Sequence, residues 1–198
     1  MNKYFGRHSK RELPGVDELQ KELKRERYKR RFRKLLRSTI NALIVVAAVA
    51  ALVATLVLPV LQIAGTSMEP SLNDGDIVLL VKKKDLQTGD LCAFYYSNKI
   101  LIKRVIATPG DYIWIEADGT VFLNGEPLDE PYISQKALGE CDVEFPYQVP
   151  ENNYFVMGDQ RETSIDSRSS VIGCIPEDQL IGKIFCKFWP LSEFTFID

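Results

Sequence analysis

The sequence predicts a mainly β protein in which a single N-terminal transmembrane helix is followed by an all-β domain outside the cytoplasm. An uncharged run of 20 residues lies at 42–61, basic residues are concentrated before it, and short runs of β-branched and aromatic residues alternate with turns after it. These observations divide the chain into a basic cytoplasmic arm (1–37), a transmembrane anchor (38–62) and an extracytoplasmic domain (63–198).

Charge is distributed unevenly along the 198 residues. Residues 1–37 contain 14 Lys and Arg against 5 Asp and Glu, a balance of +9. The rest of the chain contains 11 against 22, a balance of −11, and the two balances sum to the net charge of −2. An acidic domain behind a basic arm excludes a nucleic-acid binder with a basic fold, so we expect no nucleic-acid partner.

The run from Ala42 to Leu61 can cross a bilayer, because about 20 apolar residues in a helix span the hydrocarbon core. A buried core helix would need apolar neighbours all round, and a cleaved signal peptide has a shorter apolar region of about 7–15 residues. Pro59 is expected to kink or end the helix. The charged stretch from Val16 to Arg37 is also expected to be helical, either holding anionic lipid or simply solvated.

Basic residues flank only one side of this run. Six Lys and Arg lie at positions 29–37, whereas the next basic residue after the run is Lys82. The positive-inside rule therefore predicts a cell-membrane protein with a cytoplasmic N-terminus, membrane lipid as a partner and the main domain outside.

Seven strands are predicted after the span. An Asp-Gly pair at 118–119 is a strong hairpin signal between the fourth and fifth strands, and the polar, proline-containing stretch 124–150 is expected to be a looser connection. The predicted strands are Ile77–Val81, Leu91–Tyr96, Ile100–Thr108, Tyr112–Glu116, Val121–Leu123, Tyr154–Met157 and Leu180–Trp189.

The composition excludes several kinds of chemistry. The single histidine, His8, lies in the basic arm, so the main domain has no base for a Ser-His-Asp or Cys-His mechanism and no histidine-based zinc site. No metal and no cofactor are expected. The cysteines form no CxxC pair, and their spacing leaves open whether any of them form disulfides; they are Cys92, Cys141, Cys174 and Cys186.

The remaining way to activate a serine is a lysine held neutral. Ser67 lies in a turn of small residues that begins at Gly65, although a serine in such a turn is often only a loop residue. Lys103 is predicted to share a strand face with Leu101 and Val105. Burial on that face would lower its pKa, and a drop of roughly 3 units, about 4 kcal/mol, would make it a base near neutral pH. The alternative is an edge-strand lysine that reaches water.

A dense polar segment, 158–168, directly follows the sixth predicted strand. It contains hydroxyl, carboxylate and guanidinium groups at close spacing, which is typical of a hydrogen-bonded loop that supports a site. The alternative is a polar surface turn.

Four segments resemble, in their order and in their residues, the motifs of the bacterial type I signal peptidases. They are 67–71 (Ser-Met-Glu-Pro-Ser), 75–78 (Gly-Asp-Ile-Val), 103–111 and 158–168. The single N-terminal anchor is similar to that of the short Gram-positive form. The resemblance implies that Ser67 is the nucleophile and Lys103 the general base of a Ser-Lys dyad. It also implies that Ser164 hydrogen-bonds the Lys103 amine, while Asp166 and Arg168 form a supporting ion pair.

The implied activity is that of a membrane-bound serine endopeptidase, which removes signal peptides from secretory preproteins by cutting after small residues of the A-x-A type. Ser67 follows Leu61 by six residues, which would place the site near the outer membrane surface. No obligate protein partner is expected. The resemblance assigns six residues to shallow apolar pockets that admit alanine, namely Ile63, Met68, Leu72, Val78, Leu101 and Ile102.

Three positions depart from the family pattern. Gln160 replaces the usual Asn and Ser71 a common Thr, whereas Gly65 stands where some relatives have a serine whose hydroxyl helps the oxyanion hole. One alternative is a catalytically inactive, membrane-tethered binding homologue, which would not need to retain both Ser67 and Lys103. The other is a self-cleaving repressor-type Ser-Lys protease, which is cytosolic and would have no membrane span.

Overall fold

The computed structural model describes residues 16–57 and 59–197. The chain divides into two units between Val53 and Ala54. The predicted basic arm is therefore described only from Val16 onward, and its first 15 residues, with His8, lie outside the described residues.

One long helix, α1, spans Val16–Val57. It contains the whole charged stretch Val16–Arg37, which confirms the helix predicted there from its good helix formers, Glu, Lys, Arg and Leu. By length and composition, α1 holds one segment apolar enough to cross a membrane, within Leu19–Leu52. Its described side chains are exposed, as those of a helix that faces lipid would be.

The helix ends at Val57, before the end of the apolar run at Leu61. Pro59 has no N–H for helical hydrogen bonding and biases the preceding residue toward extended conformations. Val60–Gln62 instead forms a strand that pairs antiparallel with Ile77–Val81. The last residues of the apolar run therefore belong to the β domain, and Leu58 lies outside the described residues.

The described part of the second unit contains twelve strands. Two short 3₁₀ turns, Glu177–Gln179 and Leu191–Glu193, flank the penultimate strand. The strands are β1 Val60–Gln62, β2 Ile77–Val81, β3 Leu91–Tyr96, β4 Lys99–Ala107, β5 Tyr112–Ile115, β6 Val121–Leu123, β7 Glu126–Pro127, β8 Tyr147–Gln148, β9 Asn153–Met157, β10 Ile175–Pro176, β11 Leu180–Trp189 and β12 Thr195–Phe196.

The strands form two antiparallel sheets, which confirms the predicted fold class of one N-terminal helix followed by an all-β domain. The larger sheet has the order β1-β2-β11-β3-β4-β9-β10, with β12 paired to β11. The smaller sheet has the order β7-β6-β5-β8. The predicted hairpin joins β5 to β6, and its turn contains Gly119 at a φ of +88°, a conformation that favours glycine.

The core that joins the two sheets contains residues from both. Ile106 of β4 and Phe155 of β9 pack with Ile113 of β5 and Val121 of β6, and all four are completely buried. Alternate positions along each strand supply these side chains, as expected for strands with one face toward a core. Through this core, β4 and β9 of the larger sheet pack against the smaller sheet.

Candidate active site

A small cavity lies between β1, the turn that follows it, and the first half of β4. Its volume is about 120 Å³. Both residues proposed for the dyad, Ser67 and Lys103, contribute to its wall. The full lining comprises Leu61, Gln62, Ile63, Ala64, Gly65, Ser67, Met68, Ile100, Leu101, Ile102 and Lys103.

The turn that carries Ser67 is held by its own backbone. The Glu69 N–H donates to the Thr66 carbonyl at 3.1 Å, and the Gly65 N–H donates to Asp74 Oδ1 at 2.7 Å. Gly65 has a φ of +95°, which glycine adopts without the steric cost that a side chain would bring. The backbone conformation therefore accounts for glycine at the position where some relatives of the implied family have serine.

Lys103 lies on β4 opposite Cys92 of β3 and is only 4% exposed. Its Nζ donates to Ser164 Oγ at 2.9 Å. In the described structure, Lys103 Nζ and Ser67 Oγ are not hydrogen-bonded to each other. Hydrogen bonds of a reacting pair are often long without substrate and tighten in its complex. Leu101 and Val105, the predicted neighbours on this strand face, belong to one hydrophobic cluster with Cys92.

Burial lowers the pKa of the Lys103 amine, because the ammonium ion loses hydration that the protein does not fully replace. The nearby charges partly offset one another: Asp166 and Asp159 act to raise this pKa, and Arg168 acts to lower it. The net direction favours the neutral amine, the form that can accept a proton.

Asp166 organises the loop that follows β9. Its Oδ2 accepts hydrogen bonds from Ser164 Oγ at 2.7 Å and from the Gly158 N–H at 2.9 Å. Arg168 donates through Nε to Oδ1 at 2.8 Å and through Nη2 to Oδ2 at 2.9 Å. Burial acts to raise the pKa of Asp166, but these hydrogen bonds and the Arg168 charge outweigh it and keep the pKa low.

Gly158 lies where the loop that follows β9 (158–168, the support loop) meets the turn that carries Ser67 (65–71, the serine turn). A Cβ at this position would collide with Ser164 Oγ and lie 2.6 Å from the Ser67 carbonyl oxygen. The same Ser67 carbonyl accepts a hydrogen bond from the Gln160 N–H at 3.1 Å. Because this contact uses the backbone, Gln160 can replace the Asn usual in the implied family without losing it.

Arg104, the neighbour of Lys103, joins the serine turn to the support loop. It forms a two-point ion pair with Asp159, with Nε–Oδ1 and Nη2–Oδ2 distances of 2.9 and 2.6 Å. Its Nη2 also donates to Ser71 Oγ at 3.0 Å, and its Nη1 to the Gly89 carbonyl at 2.8 Å. Alternation along β4 directs Arg104 away from Lys103, and its contacts are with the serine turn, the support loop and Gly89.

The six predicted pocket residues occupy two kinds of position. Ile63, Met68, Leu101 and Ile102 line the cavity. Leu72 and Val78 are not in its wall; both are completely buried in the core cluster that also contains Ile63 and Met68.

Several buried polar residues near the site were not singled out by the sequence. Arg161 is completely buried and paired with Glu130, which lies in the connection predicted to be loose. Glu130 and Arg161 are 31 residues apart in the chain, so the sequence around one of them does not indicate that the other is its partner. The described residues contain no group of three His, Cys, Asp or Glu side chains placed to hold a metal ion.

All four cysteines are free thiols. Burial raises the pKa of Cys92 to about 12, so this neighbour of Lys103 stays protonated and is no nucleophile near neutral pH.

Comparison with known proteins identifies the family. Residues 36–189 match the family model "Signal peptidase, peptidase S26". Signal peptidase IB of Staphylococcus aureus (strain MRSA252) is 37% identical over 68% of this chain and 79% of its own. Signal peptidase I of Bacillus licheniformis is 35% identical over 66% and 76%. The crystal structure of a signal peptidase I from Enterococcus faecalis V583 has a TM-score of 0.43 and 27% identity, covering 50% of this chain and 96% of that one. The chain therefore belongs to peptidase family S26, the signal peptidases, as a membrane-anchored serine endopeptidase that removes signal peptides by the family's Ser-Lys mechanism.

Proposed function

We propose that Ser67 is the nucleophile and Lys103 the general base of this peptidase. The observation that carries the proposal is a cavity wall that contains both a half-buried serine and a buried lysine with a lowered pKa. Neutral Lys103 accepts the proton of Ser67 Oγ as this oxygen attacks the carbonyl carbon of the scissile peptide. The departing amine takes up the proton, and the ester that remains on Ser67 is hydrolysed by water.

The supporting residues keep the amine in place. Ser164 accepts a hydrogen bond from Lys103 Nζ and donates one through its own hydroxyl to Asp166, which is fixed by Arg168. A lysine side chain has several rotatable bonds, so holding its end saves the entropy of ordering it during the reaction. Ser164, Asp166 and Arg168 are thus positioning residues, and none of them needs to exchange a proton with the substrate.

The developing oxyanion needs hydrogen-bond donors. The Ser67 N–H has no acceptor among the described residues, so it is free to donate to the substrate oxygen. The Gly65 N–H is already bound to Asp74 and cannot serve without leaving it. We assign Ser67 N–H as one donor; Gly65 offers no side-chain donor.

The cavity suits an extended peptide with small side chains. Its volume of about 120 Å³ has room for an alanine side chain, and part of its wall is apolar, formed by Ile63, Met68 and Leu101. β4 pairs with β9 only from Arg104 onward, so residues 99–103 have an unpaired edge on that side within the described chain. An extended substrate can add hydrogen bonds to such an edge. We therefore propose secretory preproteins cut after A-x-A-type sequences as the substrates.

The proposed site residues predict a clear result. Ser67→Ala and Lys103→Ala should each abolish cleavage of a preprotein while leaving the β-rich circular dichroism spectrum unchanged. Lys103→Arg should also be inactive, because a guanidinium stays protonated at any usable pH. If Lys103→Ala keeps most of the wild-type rate and is folded, the dyad assignment is wrong.

The orientation is also a proposal. The excess of Lys and Arg before the apolar run supports a cytoplasmic N-terminus, with α1 in contact with membrane lipid and the β domain outside. External protease applied to right-side-out vesicles should digest the β domain and spare an N-terminal epitope tag. Protection of the β domain together with loss of the tag would reverse the orientation.

A further inference from the structure

The connection between β6 and β9 reaches all three buried arginines around the site. It provides the Ala137 and Leu138 carbonyls to Arg168 Nη1, at 3.3 and 2.6 Å. It also provides two side chains, Glu130 and Tyr132, to the other two arginines. These two side chains are two residues apart, separated by a proline that restricts the backbone between them.

Glu130 holds Arg161 through two hydrogen bonds. The Nη2–Oε1 distance is 2.6 Å and the Nη1–Oε2 distance is 3.1 Å, and both side chains are almost completely buried. The remaining donor of Arg161, Nε, binds the Gly158 carbonyl at 3.0 Å. The Gly158 N–H in turn binds the Asp166 oxygen that accepts the Ser164 hydroxyl. Glu130 is thus connected to the partner of Lys103 through an unbroken series of buried contacts.

Tyr132 holds the second arginine. Its ring lies under the Arg104 guanidinium at 3.8 Å from the ring centre, a cation–π contact, and its hydroxyl donates to Glu130 Oε1 at 3.2 Å. Arg104 in turn donates hydrogen bonds to Asp159 and Ser71. The two arginines therefore fix adjacent residues: Arg161 holds the Gly158 carbonyl, and Arg104 holds the Asp159 carboxylate.

We propose that Glu130 and Tyr132 are positioning residues for the peptidase reaction, which hold the Gly158–Asp159 dipeptide through Arg161 and Arg104 and thereby set the position of the Lys103 amine relative to Ser67. This inference rests on the roles proposed for Ser67 and Lys103. We call Glu130 and Tyr132 the brace.

The chemistry of the brace fits positioning better than stabilisation alone. A buried ion pair is often no more stabilising than a well-packed apolar pair of similar size, because both charges lose hydration. Its particular property is direction, since a carboxylate and a guanidinium fix each other at two points. In this chain the oriented Arg161 binds the Gly158 carbonyl, and the Cα of Gly158 has no room for a side chain beside Ser164 and Ser67.

The test uses the full chain in detergent with a peptide substrate, and it measures kcat, KM and the pH–rate profile. Glu130→Gln keeps the shape of the side chain but removes its charge, and Tyr132→Leu removes the ring under Arg104. Each should lower kcat at least about tenfold, which corresponds to ~1.4 kcal/mol, and change KM less than about twofold because neither residue lines the cavity.

The pH profile adds a readout that a loss of stability would not move. Lys103 faces Asp166, Asp159 and Arg168, and the brace orders the segment that contains all three. Loosening this segment admits water and favours the ammonium form, so the rising limb of kcat/KM should move to higher pH. Val121→Ala is the matched control, because it removes volume from the core between the sheets at β6, a strand that carries no residue of the cavity, the support loop or the brace. This variant should lower the free energy of unfolding without changing kcat or the position of the rising limb of kcat/KM.

Two further results decide between the proposals. Suppose that Lys103→Ala is inactive, whereas Glu130→Gln and Tyr132→Leu fold and retain the wild-type kcat and the wild-type rising limb of kcat/KM. The role proposed for the brace is then wrong, and the dyad assignment stands. If Lys103→Ala remains active, the dyad fails and the brace fails with it. Should Glu130→Gln not fold, Tyr132→Leu alone decides by the same readouts, because it leaves the Arg161 ion pair intact.

Discussion

Ser164→Ala tests most simply how the Lys103 amine is held. The substitution removes one hydroxyl oxygen, which accepts from Lys103 Nζ at 2.9 Å and donates to Asp166 Oδ2 at 2.7 Å. Ser164 is almost completely buried, so water does not readily replace the lost oxygen. The Arg168–Asp166 ion pair remains, and the change therefore acts on the position of the amine and leaves the charges around it intact.

The expected magnitude follows from the two lost hydrogen bonds. Each contributes about 0.5–1.5 kcal/mol, so together they amount to about 1–3 kcal/mol. If the transition state loses all of this, kcat/KM falls by about 5- to 150-fold. Most of the fall should be in kcat, because Ser164 does not line the cavity that is expected to bind the substrate.

The assay compares steady-state cleavage of a preprotein by wild type, Ser164→Ala and Ser169→Ala. Ser169 is an equally buried serine just after the same loop, but among the described residues its hydroxyl takes part only in a long hydrogen bond, accepted from the Val171 N–H at 3.4 Å. Ser169→Ala should therefore keep nearly the wild-type rate. A wild-type kcat/KM for Ser164→Ala, or an equal fall for both variants, would refute the positioning role.

Three further predictions concern the surroundings of the dyad. Asp166→Asn leaves the completely buried Arg168 without its charge partner, so chemical denaturation in detergent should give a free energy of unfolding lower by about 3–5 kcal/mol; an unchanged stability would contradict this. Gly158→Ala places a methyl group against Ser164 and the Ser67 carbonyl, which should reduce kcat about tenfold or more, whereas a wild-type kcat would mean that the two segments separate freely. Leu101→Asn brings a polar group into the cavity wall beside Lys103, raises the pKa of the amine toward its usual value, and should move the rising limb of kcat/KM up by about 0.5–1 pH unit. A limb that does not move, with substrate binding intact, would show that this wall does not tune the base.

Local pattern was enough to predict the longer strands. β2, β3, β6 and β11 have the predicted bounds, and β4, β5 and β9 differ by a residue at one or both ends. These strands contain enough β-branched and aromatic residues to be recognised alone. The two-residue strand β10, with a proline at its second position, is defined only by its pairing with β9. No pattern within two residues can predict a pairing that depends on a distant partner.

The residues of the site also divide into those marked by local pattern and those that depend on a distant partner. Lys103 could be singled out because a lysine between apolar residues on one strand face is a local anomaly. Glu130 and Tyr132 lie in a segment without periodicity, and their partners are Arg161 and Arg104, about 30 residues away in the chain. Only the folded connection brings these residues together, so local pattern could single out the lysine proposed as the base but not Glu130 and Tyr132.

The most direct test of the central claim is the pKa of Lys103 itself, measured by NMR titration of side-chain-labelled lysines in the full chain in detergent, with Lys103→Arg identifying the signal. We expect Lys103 to titrate below the usual value of about 10.4, because its ammonium ion is desolvated, and the limb of kcat/KM to follow the same pKa. A Lys103 signal that titrates at the usual value would contradict the claim that this lysine is held neutral as the general base.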